Sequence, residues 1–416
     1  MKIDRRKFLI GGGAGAGLIL AWALWPRTYA PNLAAGPGET IFNAFLKIGS
    51  DGRVIVAVPQ AEVGQGVYTS LPQILADELG ADWNTVAVEP APLNPIYANH
   101  LIEDGLMITG GSTSVRAFEQ RLREAGAAAR SLMMQAAAER WDADWATLDT
   151  AGGHVIGPSG RLSFAELADE AYSFDLPRHL PMRGGPNNRL TGQPLPRIDV
   201  PAKVDGSAMF AADVRLPGMV YASVRQGPGG NSRLLEIDEA AAERVAGVLS
   251  VVSNPSWVAA VASNWWAANR AVEALSPRFK VSGPLPSSGS IAAALGQAME
   301  GEATTVHSVG LAPNAALETL TATARLTGDR LEVWAPTQAP GLARSAAARA
   351  AGLAEARVTV YQTLVGSGYG RKLETTAIEQ AVTIAQAVRR PVQLVWSRVE
   401  ESLHDSFRPP ARATLS

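Results

Sequence analysis

Apolar residues in the first hundred positions fall into short runs that polar turns separate. Two such runs, Phe42–Ile48 and Val54–Val58, flank Ser50-Asp51-Gly52 and predict a β-hairpin over residues 42–58. A further run, Val86–Glu89, predicts another strand. The pattern therefore indicates a small sheet near the start of the folded chain.

Helical spacing of apolar residues occurs twice in the same region. The first predicted helix follows Gly66, with Thr69 or Ser70 expected to cap its start and Gly80 expected to end it. The second runs from Ser114 to about residue 141. The predicted buried stripes are Leu71, Ile74, Leu75 and Leu79 in the first helix, and Val115, Phe118, Leu122, Ala129, Leu132 and Met133 in the second.

Glycine, proline and polar residues divide the rest of the chain. Residues 180–198 are rich in Pro, Gly and Asn and predict a linker, and residues 199–280 mix short strands with one or two helices. The elements predicted after residue 286 are, in order, the hairpin Thr321–Leu326 with Arg330–Trp334, the helix Leu342–Ala351, the strand Val358–Val360, a helix over about 375–388 and the strand Val392–Trp396. This mixture of helices and strands indicates an α+β fold.

The first thirty residues have the pattern of an export signal. Arg5-Arg6 directly precedes a weakly apolar stretch, Phe8–Trp25, that is rich in Gly and Ala. This arrangement is typical of twin-arginine signals, whose translocon carries folded proteins. The alternatives are an ordinary secretory signal or a membrane anchor, since about 18 residues are just enough to span a bilayer. We expect a periplasmic protein, with the segment either cleaved or kept as a tether.

The composition excludes several classes of chemistry. The chain has 416 residues, a formal net charge of −2 and no cysteine. A nearly neutral chain gives no reason to expect a nucleic-acid partner. Disulfides, thiolate nucleophiles and iron–sulfur clusters held by this chain are excluded, because all of them need cysteine. The five histidines show no metal-ligand spacing, so no metal held by protein side chains is expected.

Two glycine-containing loops precede the predicted helices of the first part. In Gly64-Gln65-Gly66 the glycines let the backbone approach a ligand, the Gln65 amide can donate and accept, and the following helix start offers N–H groups to an anion. The alternative is a simple turn before a helix. In Thr109–Ser114 three consecutive hydroxyls and unpaired N–H groups form a candidate phosphate site. The alternative there is an ordinary helix cap, for which one Ser would be enough.

A third loop, Gly366–Gly370, lies between a predicted strand and a predicted helix and is followed by Arg371 and Lys372. It is not a Walker A loop, because Leu373 stands where Ser or Thr belongs, and it departs from GxGxxG because its third glycine comes one residue early. Contact with an anionic or metal-oxo cofactor remains open. A nucleotide-dependent enzyme is the rival interpretation.

Taken together, these loops and their surroundings resemble the molybdopterin-binding large subunits of the xanthine dehydrogenase and aldehyde oxidase family, and in particular the isoquinoline 1-oxidoreductase beta-subunit type. The segments that carry the resemblance are Glu62–Trp83, Thr109–Arg116, Arg197–Ala222, Trp334–Pro340, Gly366–Lys372 and Pro391–Arg398. The early position of the first two is typical of the isoquinoline type.

The resemblance implies the α+β architecture of a molybdenum-hydroxylase large subunit with an inserted hammerhead-type domain, incomplete at its C-terminus. It implies residues 1–36 as the signal or tether and residues 37–190 as a permuted molybdopterin-binding segment. Residues 191–285 would form the hammerhead-like α+β domain, and residues 286–416 the first molybdopterin-binding domain, which would be incomplete.

Family members hydroxylate an electron-poor carbon with water as the oxygen donor, at a molybdenum ion held by a pterin dithiolene. The resemblance therefore implies a large catalytic subunit that acts on an N-heterocycle or an aldehyde, with molybdopterin in its cytosine dinucleotide form as cofactor. Implied partners are a small-molecule substrate, a [2Fe–2S] small subunit that takes the electrons, and a cytochrome c or another acceptor.

Several residues are implied as cofactor contacts. Gln65 would lie near the metal and pterin, Ser112 and Ser114 would hold the pyrophosphate or pterin, and the amides of Tyr369 and Gly370 would approach the metal's oxo group. The full set of implied contacts is Gln65, Gly66, Thr109, Gly111, Ser112, Thr113, Ser114, Gln338, Gly368, Tyr369, Gly370 and Arg371.

The sequence departs from the family pattern in the glycine loop, where Ser367 and Tyr369 replace Gly and Phe, and upstream of it. Asn314 and Leu317-Glu318-Thr319 stand where the isoquinoline type tends to have His and Met-Glu-Pro, which leaves the substrate open.

The general-base glutamate of the family lies in a C-terminal Gly-x-Gly-Glu motif. Here this pattern occurs only at Gly36-Pro37-Gly38-Glu39, which we interpret as a linker coincidence. No catalytic residue is therefore assigned in this chain, and the isolated chain is expected to be inactive. It would be a fragment, one half of a split subunit whose partner polypeptide carries the C-terminal half, or a non-catalytic remnant.

Overall fold

The computed structural model describes residues 32–102, 105–183, 188–229, 231–283, 285–299 and 305–415. The chain divides into two compact units, one of Met1–Ala208 with Gln338–Gly341 and one of Met209–Thr337 with Leu342–Ser416. Nearly all of the predicted export segment, residues 1–31, lies outside the described residues. Within the described ranges, no helix combines the length and apolar character needed to cross a membrane. Helices and strands occur in both units, which confirms the α+β class.

The described strands of the first unit form two sheets. They are Glu39–Asn43 (β1), Leu46–Gly49 (β2), Val54–Val58 (β3) and Val86–Pro90 (β4) in one sheet, and Asp149–Ala151 (β5), His154–Gly157 (β6) and Gly160–Ser163 (β7) in the other. β2 and β3 form the predicted hairpin, with Leu46 opposite Val56, and β4 runs parallel to β3. The strand predicted over Phe42–Ile48 is interrupted by a turn at residues 44–45, which adds a hairpin with β1.

The helices of the first unit largely follow the apolar periodicity. They are Val67–Leu79 (α1), Ser114–Trp141 (α2), Phe164–Ala171 (α3) and Val200–Asp205 (α4). α2 has the predicted bounds, and Gly80 ends α1 as predicted. Capping of α1 by Thr69 or Ser70 is wrong, because the helix already begins at Val67 with Gly66 in left-handed backbone at its N-cap. The predicted stripes are buried except for Val115, which is 41% exposed in the first turn of α2.

α1 and α2 pack closely against each other at Gly126. A Cβ atom at this position would lie 2.6 Å from the carbonyl oxygen of Leu75 and 2.9 Å from the Cβ of Glu78. The carboxylate of Glu78 is itself buried and pairs with Arg130 at 3.3 Å. The contact therefore depends on the missing side chain at Gly126, since any larger residue must push the helices apart.

The predicted linker has no helix or strand in its described part, but carboxylates of the first unit fasten it. Asp77 accepts hydrogen bonds from the backbone N–H groups of residues 189–191, at 2.8–3.0 Å. Asp149 pairs with Arg183 and with the side chain of Arg189. The described residues of this segment, 180–183 and 188–198, therefore form a fixed strap on the first unit.

The second unit is built around one seven-stranded sheet. The described strands of this unit are Val220–Gln226 (β8), Ser232–Glu236 (β9), Val248–Asn254 (β10), Trp257–Ala262 (β11), Arg278–Val281 (β12), Thr305–Val309 (β13), Thr321–Thr327 (β14), Arg330–Ala335 (β15), Val358–Gln362 (β16), Val392–Val395 (β17) and Ala411–Leu415 (β18). The order of strands in the seven-stranded sheet is β10-β11-β8-β17-β14-β15-β16. β14 and β15 form the predicted hairpin. β8, β10 and β11 share a sheet with strands from beyond residue 286. The boundaries of the hammerhead-like domain, residues 191–285, remain a prediction.

The helices of the second unit include the two predicted after residue 286. They are Glu239–Glu243 (α5), Trp265–Ala274 (α6), Ser288–Gln297 (α7), Pro340–Ala351 (α8), Thr376–Val388 (α9) and Arg398–Leu403 (α10). Residues of α8 and α9, among them Ala347 and Ile378, share an apolar core with Leu394 of β17 and Val333 of β15. The helices α8 and α9 thus pack against the seven-stranded sheet.

The packing at Gly126 leads to a first prediction. Gly126→Ala should lower the free energy of unfolding of the first unit by about 1–3 kcal/mol, because the added methyl overlaps Leu75 and Glu78. The matched control is Gly296→Ala in α7, where the new Cβ would meet nothing closer than 3.7 Å and the helix should gain up to about 1 kcal/mol. Urea unfolding of both variants measures the two effects, and equal shifts would contradict the packing argument.

A second prediction concerns Asp199 at the end of the strap. Burial alone would raise the pKa of Asp199, but hydrogen bonds from Arg197 and Lys203 outweigh it and lower the pKa to about 2. The ionised form is therefore favoured by folding, and its stabilising effect is present above pH 3.8 and lost as the pH falls toward 2. Asp199→Asn should remove up to about 2 kcal/mol at pH 5 and almost nothing at pH 2. Unfolding curves at several pH values test this, and a constant difference between the two proteins would disprove it.

Candidate functional site

Two of the predicted loops and Gln338 meet in the first unit. The backbone N–H of Thr109 donates to the Gln338 carbonyl at 2.8 Å, and the Gln338 amide Nε2 donates back to the Thr109 carbonyl at 2.8 Å. The Thr109 hydroxyl accepts from the N–H of Ala61 at 2.7 Å, and the Ala61 carbonyl accepts from Gln65 Nε2 at 2.9 Å. Segments that are far apart in sequence are thus connected by hydrogen bonds around Ala61 and Thr109.

The buried side chain of Gln338 has one unsatisfied atom. The Thr109 carbonyl fixes the amide orientation, because it needs a donor and therefore faces Nε2 rather than the oxygen. Oε1 of Gln338 then has no hydrogen-bond partner within the described residues. A buried acceptor without a donor costs about 1–3 kcal/mol. Any ligand or water that contacts Oε1 would therefore have to donate an N–H or O–H group.

The Gln65 loop is closed on itself by a buried carboxylate. Glu62 accepts from the N–H groups of Gly64, Gly66 and Tyr68 at 2.9–3.0 Å. The expectation that the start of α1 offers free N–H groups to an anion is therefore wrong, because Glu62 already occupies this position. Gln65 is exposed, and its amide donates and accepts within its own loop, to Ala61 and from the N–H of residue 63.

The start of α2 is more open. Gly111 and Ser112 are exposed and both have left-handed backbone, with φ of 60° and 54°. Thr113 does not cap the helix, because its hydroxyl donates to the carbonyl of residue 110 at 2.7 Å. Ser114 donates to the Gln60 side chain at 2.8 Å. Of the three consecutive hydroxyls, Thr113 and Ser114 are thus used to build the loop, and Ser112 lies on the exposed surface.

Two residues that matter here were missed by the sequence reasoning. Arg116 is exposed in the first turn of α2, where a cation opposes the helix dipole and no acidic residue balances it. Such a helix start favours an anion. Gln60 is buried and donates to the carbonyls of Pro59 and Ile108 while it accepts from Ser114. The available signals were a basic residue in the first turn of α2 and a polar residue two positions after the apolar run Val54–Val58.

The glycine loop of the second unit has unusual backbone. Ser367, Tyr369 and Gly370 have left-handed φ of 70°, 51° and 89°. Ser367 is stabilised by its hydroxyl, which accepts from the N–H of Leu317 at 3.0 Å and donates to the carbonyl of Gly366 at 2.6 Å. Tyr369 is 65% exposed. Left-handed residues other than glycine are rare and cluster at functional sites.

Arg371 and Lys372 lie behind this loop and are buried. Arg371 donates to Glu401 at 3.2 Å and to the carbonyl of His404 at 2.7 Å, so its guanidinium holds neighbouring backbone. Lys372 donates to the carbonyls of Glu318 and Thr319 at 2.7 and 2.9 Å. Burial lowers the pKa of Lys372 to about 8, against the attraction of Glu318. A lysine engaged in this way does not reach a nucleotide phosphate, and the role of Arg371 as a cofactor contact stays a prediction.

The remaining candidates are structural. Within the part of the chain that the structure describes, no group of three or more His, Asp or Glu could hold a metal ion. In the Gly36–Glu39 segment, Glu39 accepts from the N–H of Gly36 at 2.7 Å and pairs with Lys47 at 2.7 Å. Its carboxylate therefore closes a turn, which supports the interpretation of this pattern as a coincidence.

The chain is similar over most of its length to known proteins. Two family profiles, both described as a molybdopterin cofactor-binding domain, match residues 14–200 and 281–416. The isoquinoline 1-oxidoreductase subunit beta of Brevundimonas diminuta is 28% identical over 98% of this chain and 61% of its own length. The membrane-bound aldehyde dehydrogenase (pyrroloquinoline-quinone) of Gluconacetobacter polyoxogenes is 26% identical over 98% of this chain and 57% of its own length.

A solved structure, the aldehyde oxidoreductase of Desulfovibrio desulfuricans ATCC 27774, matches with a TM-score of 0.45 and 19% identity, covering 58% of this chain and 33% of that chain. The chain spans about six tenths of the length of the two curated relatives. The two profiles together take in most of the chain, and the similarity to the isoquinoline 1-oxidoreductase subunit extends over nearly all of it. The chain therefore belongs to the xanthine dehydrogenase family of molybdopterin-binding large subunits.

Proposed function

We propose that this chain is the cofactor-binding part of a molybdenum hydroxylase large subunit that hydroxylates an N-heterocycle or an aldehyde with water as the oxygen donor. The proposal rests on Oε1 of buried Gln338, which has no hydrogen-bond partner within the described residues. The Nε2 of the same side chain donates to Thr109, which lies in the segment that leads into the uncapped start of α2. The names of the two relatives, an isoquinoline oxidoreductase subunit and an aldehyde dehydrogenase, support the two substrate classes.

The first unit has the groups that a molybdopterin requires. The pterin ring carries N–H donors, and Gln338 Oε1 is a buried acceptor that lacks one. The phosphate portion is anionic, and Ser112, Arg116 and the uncapped N–H groups of α2 supply donors and positive charge. Molybdenum held by the pterin would supply an activated oxygen nucleophile and accept the electrons.

In the second unit, the glycine loop would present backbone donors to the metal end of the cofactor. Ser367, Tyr369 and Gly370 have left-handed backbone, and consecutive N–H groups in such turns can form anion-binding concavities. The N–H groups of Tyr369 and Gly370 would polarise an oxygen there, and the exposed ring of Tyr369 would help to exclude water.

Several finer features belong to the same proposal. The pterin is in the cytosine dinucleotide form, and the electrons leave through a [2Fe–2S] small subunit, since this chain has no cysteine to hold a cluster. A cytochrome c or a similar acceptor follows. The general base would be a glutamate in a Gly-x-Gly-Glu motif other than Gly36-Pro37-Gly38-Glu39, and residues 1–416 alone would turn over no substrate.

A non-catalytic remnant is the second candidate. The departure at Leu317-Glu318-Thr319 favours it, because the N–H of Leu317 donates to Ser367 of the glycine loop. The two candidates differ in one observable: a companion or continuing sequence with a Gly-x-Gly-Glu motif supports the enzyme. A remnant would lack this sequence in every assembly that contains the chain.

The cofactor assignment predicts the effect of charge at the start of α2. Ser112→Asp should reduce the molybdenum and pterin bound per chain at least about tenfold, because a carboxylate there repels phosphate, and Arg116→Ala should cause a smaller loss. The matched control is Ser159→Asp at an exposed turn of the same unit, which should bind as the wild type does. Elemental analysis and pterin fluorescence of the purified assembly measure both. Unchanged loading of Ser112→Asp would remove the phosphate role.

The export segment gives a separate prediction. Exchange of both Arg5 and Arg6 for Lys should keep the protein in the cytoplasm, because the twin-arginine translocon recognises the pair itself. Cell fractionation with an antibody to the folded part locates the chain. Normal arrival of the double variant in the periplasm would show that the segment is an ordinary secretory signal.

A further inference from the structure

Glu318 connects three backbone segments of the second unit. Its carboxylate accepts from the N–H of Gly366 at 2.9 Å and from the N–H of Ala211 at 3.2 Å. The backbone N–H of Glu318 in turn donates to the Gly366 carbonyl at 2.9 Å. Side chain and backbone of one residue therefore hold both polar groups of Gly366, the first residue of the glycine loop.

The fit between the two residues is tight. A Cβ atom at Gly366 would lie 2.6 Å from the Cβ of Glu318, so the loop can approach only because residue 366 is glycine. The next residue, Ser367, is held by the N–H of Leu317. Gly366 and Ser367 are thus fixed, and only Gly368 separates them from the left-handed Tyr369 and Gly370.

The segment that carries Glu318 is itself rigidly held. Arg398 of α10 donates to the carbonyls of Ala316 and Leu317 at 2.7 and 2.6 Å. Lys372 donates to the carbonyls of Glu318 and Thr319. Because left-handed residues other than glycine persist only where the surroundings determine them, the loop depends on this support.

We propose that Glu318 is a positioning residue that fixes the glycine loop in the conformation in which Tyr369 and Gly370 present their N–H groups. The role of those N–H groups toward a cofactor rests on the function proposed above. The conformation itself does not, and it is measurable in protein without cofactor.

The test compares Glu318→Ala and Glu318→Gln with Glu400→Gln in the full-length assembly. Glu400 is the matched control, because it is a buried glutamate of the same unit that accepts from a backbone N–H, that of Gln226 at 2.8 Å, without touching the glycine loop. Chymotryptic cleavage between Tyr369 and Gly370, identified by mass spectrometry, reports the loop. Urea unfolding of each variant reports global stability.

We expect Glu318→Ala to be cleaved at this bond at least about tenfold faster than the wild type. Glu318→Gln should be intermediate, because its amide keeps one acceptor and loses the other, and Glu400→Gln should match the wild type at this bond. Wild-type resistance in both Glu318 variants would overturn the proposal, and so would equally fast cleavage of Glu400→Gln. If Glu318→Ala does not fold, Glu318→Gln decides.

Molybdenum content of the same samples separates the two proposals. Selective loop cleavage together with lower molybdenum in the Glu318 variants supports both. Selective cleavage with no molybdenum in any sample, wild type included, leaves the positioning role of Glu318 intact and contradicts the cofactor assignment.

Discussion

Carboxylates that accept hydrogen bonds from backbone N–H groups hold the irregular segments of both units. Glu62 fixes the Gln65 loop, Asp77 fixes the strap at residues 189–191, and Glu318 fixes the glycine loop. Irregular backbone cannot satisfy its own polar groups, and a buried carboxylate is tolerated only with several donors. Each arrangement meets both needs at once. Loops of this kind keep a definite shape without the regular hydrogen bonds of a helix or sheet.

The same carboxylates decide which groups remain for a ligand. Glu62 uses the N–H groups at the start of α1, and no acidic residue lies in the first turn of α2. Negative charge is thus neutralised inside the loops, while Ser112 and Arg116 stay on the surface. A site for an anionic cofactor requires this division, because an unpaired carboxylate near phosphate would oppose binding.

Local patterns in the sequence were enough to predict much of the fold. The apolar period gave α2 its bounds, and the polar turn gave the β2–β3 hairpin. The cap of α1 was misplaced because the Glu62 carboxylate accepts from the N–H groups of Gly66 and Tyr68, so the helix start needs no capping Ser or Thr. The burial of Val115 was overestimated because helical period alone does not show where the contact with another element ends.

The candidate site was less predictable, because its contacts join residues distant in sequence. The residue types at Thr109 and Gln338 suggest ligand binding, but no local pattern pairs them across 229 positions. Glu62 is the first residue of Glu62–Trp83, one of the segments that carry the family resemblance. Its three N–H partners nevertheless depend on the folded path of the loop. Side chains that satisfy backbone groups at long range are therefore what sequence reasoning misses here.

The pairing of Thr109 with Gln338 also sets an order of events during synthesis. Gln338–Gly341 belongs to the first unit, although 129 residues of the second unit, Met209–Thr337, are made before it. At about 5–20 residues per second, the ribosome needs roughly 10 to 45 s to pass from Thr109 to Gln338. During this interval the Thr109 loop lacks its hydrogen-bond partner. The Thr109–Gln338 contact can therefore form only after residues 209–337 have been synthesised.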